Sequence, residues 1–259
     1  MTAIEYTRHH WRIMAALMAR ELATRYGRNN IGFLWIMGEP LLFGGGVLFV
    51  WSLIRAPYEH GLKLVPFLVT GYFPLLMIRH TLSQGMNCFN VNANLLYHRS
   101  ITLLHLFISR MVLEVIGVTF AMVVVVVILI FFGAMEPPAS LMIIYAGWLL
   151  LAWLTVSLAL VFSSINALYE PFEKIGGLFA YILAPVSGMF FMAAWLPYQY
   201  RELALKIPLL SCVEMIRKGF FGDSVTTYFH IPYVIAFASI LTFTGLILIR
   251  IVRDRFEVE

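Results

Sequence analysis

The sequence predicts an all-α integral membrane protein with six transmembrane helices, on the basis of its composition and its long apolar runs. Of the 259 residues, 61% are hydrophobic and 12% are charged, and the mean hydropathy is +0.86. Soluble domains are about 45–50% apolar and about 25% charged, and a soluble fold of this length could not bury so much apolar surface. The scarcity of charge also excludes a disordered chain and a nucleic-acid-binding protein.

Six apolar runs approach the length needed to cross the hydrocarbon layer, which is about 20 helical residues. They fall near residues 31–54, 62–80, 106–132, 140–165, 175–196 and 231–250. The second run is the weakest, because Pro66 and Pro74 interrupt it. Since backbone groups that face lipid must be hydrogen-bonded within the protein, each run is expected to be a helix.

The distribution of basic residues indicates the orientation of the chain. If both termini lie in the cytoplasm, twelve of the 18 Lys and Arg residues are on the inner side and six are on the outer side. Cytoplasmic loops of membrane proteins carry an excess of Lys and Arg. We therefore expect a multi-pass protein with both termini cytoplasmic.

Residues 1–30 precede the six-span domain, residues 31–259, and are expected to lie at the cytoplasmic membrane surface. Residues 4–26 form an amphipathic helix in which basic residues occupy a separate sector from the apolar ones. The apolar side consists of Ile4, Trp11, Met14, Met18 and Leu22. Such a pattern is typical of an interfacial helix in the headgroup layer. A helix packed against another subunit would show the same pattern, so this alternative stays open.

Two connecting segments are too long and too apolar to be simple loops. Residues 81–105 are expected on the cytoplasmic side and should contain a short helix against which another protein docks. Residues 197–230 are expected on the outer side, where Pro197 and Pro208 divide them into two short re-entrant helices. Non-helical backbone at membrane depth is tolerated only where protein or a watery cavity covers it.

Sequence motifs of enzymes are absent from the chain. There is no GxxxxGK[ST] phosphate-binding loop, so ATP hydrolysis by that route is not expected, and there is no HExxH, GxSxG or CxxC motif. The seven histidines are scattered. We therefore expect no catalytic residue, no metal site and no cofactor in this chain.

The first span carries residues that suit a substrate pathway. Arg28, Trp35, Glu39 and Phe43 follow one another at helical spacing and share a face. A cation, a carboxylate and two rings suit a sugar or an acidic headgroup. The other expected pathway residues are Arg25 at the inner mouth and Tyr181, Phe190 and Phe191 on or near the fifth span. Alternatively, Glu39 pairs with an arginine to fix helix packing, and the rings face lipid or the core.

Charges in the third span have a structural and a functional interpretation. Arg110 and Glu114 are four residues apart, so we expect an ion pair along one helix that contributes to packing. In a proton-driven secondary transporter, Glu39 or Glu114 would carry the proton. Secondary transporters usually contain internal repeats, and the sequence shows no convincing one.

Four blocks of the sequence resemble the ABC-2-type polysaccharide export permeases. RELATRYGRNNIGFLWIMGEPLL (20–42) is similar to the entry into the first span of that family. Blocks 68–78, 92–114 and 187–223 agree in the expected order, and the last contains an E-x-x-R motif at Glu214 and Arg217. The resemblance covers nearly the whole chain and is greatest for the permeases that export capsule polysaccharide.

This resemblance implies a type V exporter fold and ATP-driven export of a glycolipid-linked acidic polysaccharide across the bacterial inner membrane. It implies a homodimer with two cytoplasmic ABC ATPase subunits that hold ATP and Mg²⁺, together with a periplasmic adaptor and an outer-membrane export protein. The contact with the ATPase would be made by Tyr97, His98, Arg99 and Ser100. Exporters of O-antigen, teichoic acid, small lipids or drugs share the six-span plan and remain alternatives.

Overall fold

The computed structural model describes residues 3–26, 32–54, 58–59, 61–92, 94–95, 101–169 and 171–258. These residues form ten α-helices and one β-hairpin. The helices are α1 (Ala3–Tyr26), α2 (Gly32–Ile54), α3 (Leu64–Met86), α4 (Cys88–Val91), α5 (Leu103–Phe131), α6 (Leu141–Leu168), α7 (Phe172–Val186), α8 (Tyr198–Ala204), α9 (Pro208–Phe221) and α10 (Ile231–Val258). Strand β1 (Tyr58–Glu59) pairs antiparallel with β2 (Leu62–Lys63). Single 3₁₀ turns lie at Ala193–Trp195 and Gly222–Ser224.

Four of the described helices are long and apolar enough to cross a membrane, namely α3, α5, α6 and α10. Helix α3 is central: 83% of its most apolar window is buried, against 17% for α10. It packs on α5 and α6 and also contacts α2, α7 and α9, whereas α10 packs mainly on α6. This architecture confirms the prediction of an all-α membrane protein. The total of six spans stays a prediction.

Local hydrogen bonds explain where several helices begin. The Oγ1 of Thr102 accepts a bond from the N–H of His105 (3.3 Å), and the His105 ring accepts one from the N–H of Thr102 (3.2 Å). This capping box begins α5. Ser140 caps α6 by accepting a bond from Ile143. Helix α9 begins with Pro208, at a position where the missing N–H would have no partner within the helix.

The ends of two helices differ from the expectation. Helix α3 continues to Met86, within the segment 81–105 that was expected to be a loop, and α4 is the short helix expected there. Helix α7 ends at Val186, although the apolar run suggested a span reaching residue 196. Its 15 residues give a length of about 22 Å, shorter than the ~30 Å hydrocarbon layer. The chain turns at Gly188, where φ is +84°, a conformation that glycine adopts without strain.

The N-terminal helix α1 packs on its own chain, against α5 and α2. Arg20 donates to the Oδ1 of Asn92 (3.1 Å), and the Nδ1 of His10 lies 2.7 Å from the Nε2 of His105. Trp11, on the expected apolar side, is 65% exposed. The helix therefore contacts the membrane domain and also presents a tryptophan outward; its position in the headgroup layer stays a prediction.

The expected ion pair between Arg110 and Glu114 is wrong, because both residues pair with other helices. Arg110 pairs with Glu21 on α1 and donates to the Oε1 of Gln84 on α3 (2.9 Å). The Oε2 of Glu114 lies 3.2 Å from the Nδ1 of His80 on α3. Helices α1 and α3 both pack on α5. Arg110 and Glu114 therefore contact residues of these neighbouring helices and do not pair with each other along α5.

Candidate substrate pathway

Helix α2 bears an apolar groove of about 400 Å³, lined by Leu42, Gly46, Val47, Val50 and Trp51. Elsewhere α2 packs on α3 and α5. A Cβ on Gly44 would lie 3.0 Å from the ring of Phe73 on α3, so this glycine allows the close contact. Leu42 and Val50 remain exposed. The helix thus has one side packed in the subunit and an apolar groove on another.

The structure places the backbone of five predicted pathway residues on helices: Arg25 on α1, Trp35, Glu39 and Phe43 on α2, and Tyr181 on α7. Spacings of four residues put Trp35, Glu39 and Phe43 on one face of α2. Arg28 lies outside the described residues, as do the four predicted ATPase-contact residues, Tyr97, His98, Arg99 and Ser100. The roles of all these residues stay predictions.

Phe190 lies beside α2, whereas its neighbour Phe191 does not. The ring of Phe190 stacks on that of Trp51, with centroids 5.5 Å apart and planes inclined by 20°, and 40% of Phe190 remains exposed. Phe191 packs instead on a small apolar cluster that includes Ala193 and Leu210. Of the two predicted rings, only Phe190 is thus brought to the groove side of α2.

Trp51 is a candidate pathway residue that was not among those predicted from the sequence. It lines the groove and stacks on Phe190. The sequence did contain a signal, because Trp51 follows Phe43 by two more four-residue steps. The groove therefore extends the predicted face toward the C-terminal end of α2.

Arg217 on α9 is fully buried and holds the non-helical segment that follows α7. Its Nη1 donates to the carbonyl oxygen of Phe191 (2.6 Å) and its Nη2 to that of Met189 (3.0 Å). The guanidinium carbon lies 4.4 Å from the centre of the Phe67 ring on α3. Because an unpaired buried charge is costly, these contacts fix the segment, α3 and α9 together.

Glu214, one helical turn before Arg217, is the buried counter-charge of this network. Its Oε1 lies 3.8 Å from the Nη1 of Arg217 and accepts a bond from the N–H of Ala193 (3.2 Å). Its Oε2 accepts a bond from the N–H of Tyr228 (3.2 Å). Burial raises the pKa of Glu214, and the neighbouring guanidinium and the two N–H groups oppose this rise. Burial lowers the pKa of Arg217 to about 10, so it stays charged at neutral pH.

Arg201 on α8 completes the network. It donates to the carbonyl oxygens of Ala193 (3.1 Å), Ala194 (3.4 Å) and Leu196 (3.1 Å). Its guanidinium lies 4.5 Å from the centre of the Tyr228 ring. We call the segment 189–196 the bridging segment and its hydrogen bonds to Arg201 and Arg217 the arginine cradle. The cradle binds five carbonyl groups, of which that of Ala193 also accepts a bond from the N–H of Leu196 in the 3₁₀ turn.

The sequence interpretation counted Arg201 only among the outer charges and named Arg217 only as part of the E-x-x-R motif, with no structural role for either. A signal for the buried pair was present, since Glu214 and Arg217 are three residues apart in an otherwise apolar stretch. Charged residues on one helix face among apolar neighbours indicate a buried pair as readily as a solvated loop.

Short helix α4 is held by hydrogen bonds to three neighbouring elements. Asn92, which accepts from Arg20 on α1, donates to the carbonyl of Cys88 (3.0 Å). Asn87 donates to the Oε1 of Glu173 on α7 (2.6 Å) and accepts a bond from Asn166 on α6 (2.8 Å). The segment 81–105, where it is described, is thus connected to α1, α6 and α7. Among the described residues, no cluster of His, Cys, Asp and Glu could hold a metal ion.

Comparison with known proteins assigns the family. The chain is 40% identical over 238 residues to the capsule polysaccharide export inner-membrane protein CtrC of Neisseria meningitidis serogroup B, covering 92% of this chain and 90% of that protein. This chain belongs to the capsule polysaccharide export inner-membrane proteins. It is also 34% identical over 239 residues to BexB of Haemophilus influenzae, covering 92% of this chain and 90% of BexB. No family model matches the chain.

A more distant relative of this capsule export protein is the polysialic acid transport protein KpsM of Escherichia coli. The two are 23% identical over 235 residues, which is 91% of each chain. The relatives are inner-membrane and transport proteins by name, and the apolar helices of this family member fit the same membrane location. The resemblance seen in the sequence is thereby confirmed.

Proposed function

We propose that this chain is the transmembrane permease subunit of an ATP-driven ABC transporter that exports lipid-linked capsular polysaccharide across the bacterial inner membrane. The observation that carries the proposal is the 40% identity to a capsule polysaccharide export protein over 92% of the chain. The four long apolar helices support it. The sequence has no phosphate-binding loop, which supports the part of the proposal that places ATP hydrolysis, with ATP and Mg²⁺, on a separate subunit.

The export pathway must offer a continuous polar and aromatic surface, because each unpaired polar group of a sugar costs several kcal/mol in hydrocarbon. In the proposal, α2 supplies Trp35, Glu39 and Phe43. The fifth apolar run supplies Tyr181, Phe190 and Phe191. Aromatic rings stack on sugar faces without gripping one sugar, so a polymer can slide. Arg25 and Arg28 attract the anionic end of the polymer at the inner mouth.

The pathway lies between two copies of the chain in the proposed homodimer. Large apolar side chains are exposed on α2, for example Phe49 and Leu53, and on α7, for example Leu178 and Ile182. In a membrane, apolar faces of this kind contact lipid or another helix; the proposal places a second copy against them, and a two-fold arrangement would bring the groove sides of two α2 helices together.

Two cytoplasmic ABC ATPase subunits are proposed to contact the segment 81–105 through Tyr97, His98, Arg99 and Ser100. Both termini are cytoplasmic in this arrangement, and α1 acts as a lateral gate at the headgroup layer. A periplasmic adaptor and an outer-membrane export protein receive the polymer. Arg20 on α1 donates to Asn92, which in turn donates to the carbonyl of Cys88 on α4, and these bonds support transmission from the segment to the gate.

The test is export by the assembled transporter. The chain is co-purified with the ATPase encoded beside it and reconstituted in proteoliposomes that contain the lipid-linked surface polymer of the host. ATP-dependent movement of that polymer is expected, with none when the ATPase is omitted. Transport driven by a proton gradient without nucleotide would overturn the proposal, and movement of O-antigen or a small lipid alone would favour the alternative exporters.

A further inference from the structure

The bridging segment is irregular backbone that includes one 3₁₀ turn, Ala193–Trp195, and Arg217 and α3 together define its position. Arg217 holds the carbonyl oxygens of Met189 and Phe191. A Cβ on Gly71 of α3 would lie 2.5 Å from the oxygen of Met189 and 3.0 Å from the Nη2 of Arg217. The segment therefore lies as close to α3 as a glycine permits, and a fully buried guanidinium fixes it there.

Phe190 lies between the two carbonyl groups that Arg217 holds. Its backbone is thus constrained on both sides, while its side chain is the exposed one that stacks on Trp51. The planar guanidinium is suited to this task because it donates several bonds in fixed directions, whereas the ammonium of lysine is a point charge. The cradle therefore determines where the Phe190 ring meets α2.

We infer that Trp51 and Phe190 form a carbohydrate-stacking site at the C-terminal end of the α2 groove and that Arg217 is its positioning residue. The stacked pair presents aromatic surface beside an open groove, and an aromatic surface can bind the C–H face of a pyranose ring. Arg217 does not touch the sugar; it acts through the Met189 and Phe191 carbonyl groups. The inference rests on the proposed function, because it assigns this site to the exported polysaccharide.

The sugar-stacking part is tested in cells that carry the complete transporter. Trp51→Ala and Phe190→Leu should each lower surface polymer about 5–10-fold at equal membrane abundance of the permease. The double variant should export about as much as either single variant. Trp51→Phe, which keeps a ring, should export more than Trp51→Ala, and Trp153→Phe on α6 should export at the wild-type level. The probe is the host's own surface polymer, measured as carbohydrate released from washed cells.

The positioning part is tested by cross-linking Trp51→Cys/Phe190→Cys with a short thiol-specific reagent in the assembled transporter. Adding Arg217→Lys should lower the cross-link yield several-fold, and Arg217→Lys alone should lower export. Gly71→Ala should displace the same segment without changing a charge, so it should also lower both the cross-link yield and export. The matched control is Arg255→Lys, since Arg255 also donates to two carbonyl groups, those of Ala167 and Leu168. This variant should change neither the cross-link yield nor export.

Wild-type export in both Trp51→Ala and Phe190→Leu would overturn the stacking site. An unchanged cross-link yield in both Arg217→Lys and Gly71→Ala would overturn the positioning role. If the wild-type permease itself fails to export polymer with ATP, the proposed function fails, and this result is distinct from the failure of the variants alone.

Discussion

Glu21 on α1 forms an ion pair with Arg110 on α5, with 3.4 Å between its Oε1 and the Nε of Arg110. The preceding residue, Arg20, donates to Asn92 beyond α4. Two adjacent residues thus connect one helix to a long apolar helix and to the segment that we propose contacts the ATPase. Under that proposal, a displacement of the segment reaches α1 through the hydrogen bond from Arg20 to Asn92, and the ion pair of Glu21 with Arg110 connects α1 to α5.

Reversing one charge of this pair should impair export. Glu21→Arg places two cations together in a site that is only slightly exposed, so we expect surface polymer to fall several-fold, because like charges repel strongly where water screens them poorly. The double variant Glu21→Arg/Arg110→Glu should recover most of the export. Surface carbohydrate is measured against membrane abundance of the permease.

The control uses the exposed pair of Lys63 and Glu136. Glu136→Lys should leave export unchanged, because exposed ion pairs contribute little. If the double charge reversal of Glu21 and Arg110 remains as defective as Glu21→Arg, the ion pair has no role in coupling.

Reversing the charge of Arg99 should uncouple ATP hydrolysis from export. With Arg99→Glu, the ATPase subunit should still co-purify and turn over ATP, while surface polymer falls to about a tenth. ATP hydrolysis and export are measured on the same membranes. Normal export in this variant would show that the coupling contact lies elsewhere.

Substitutions on the predicted face of α2 should reduce export without lowering abundance. Trp35→Ala removes a stacking surface and Glu39→Gln removes a charge, and each is expected to lower surface polymer several-fold. Trp35→Phe, which keeps a ring, serves as the control. Should both variants export at the wild-type level, this face of α2 has a packing role only.

Gly188→Ala should destabilise the protein. The residue has φ of +84°, and an added Cβ would lie 2.4 Å from the Cδ1 of Leu210, so the free energy of unfolding should fall by about 2–3 kcal/mol. Thermal unfolding of the purified protein in detergent measures the change. Gly177→Ala on α7 is the matched control: a Cβ there meets no atom within 4 Å, and stability should be unchanged or rise by about 0.5–1 kcal/mol. Equal stability of the two variants would contradict the assigned strain.

The long helices were predictable because hydropathy alone specifies them. Helix α6 runs from Leu141 to Leu168, where the sequence indicated a span at 140–165. The early end of α7 was not predictable from hydropathy, because the bridging segment is as apolar as the helix before it. Pro185 and Gly188 marked the change, but isolated residues of these types in an apolar run do not by themselves fix a helix end.

The charged contacts were predicted least well, because they depend on which helices become neighbours. Spacing suggested that Arg110 would pair along its own helix, but the packing of α1 and α3 on α5 supplied Glu21 and Gln84 instead. Likewise, nothing in the sequence near Arg217 indicated that its partners are the carbonyl groups of a segment 26 and 28 residues earlier. Phe190 was recognised as a pathway candidate, whereas its partner Trp51 was not.

The arginine cradle recognises only peptide oxygens. Substitutions between Met189 and Leu196 that keep the backbone path leave all five of those bonds intact. Side chains there can consequently change in size or polarity while the frame beneath them persists. Single amino-acid substitutions during evolution can therefore adapt the bridging segment to chemically different polymers without changing the surrounding helices.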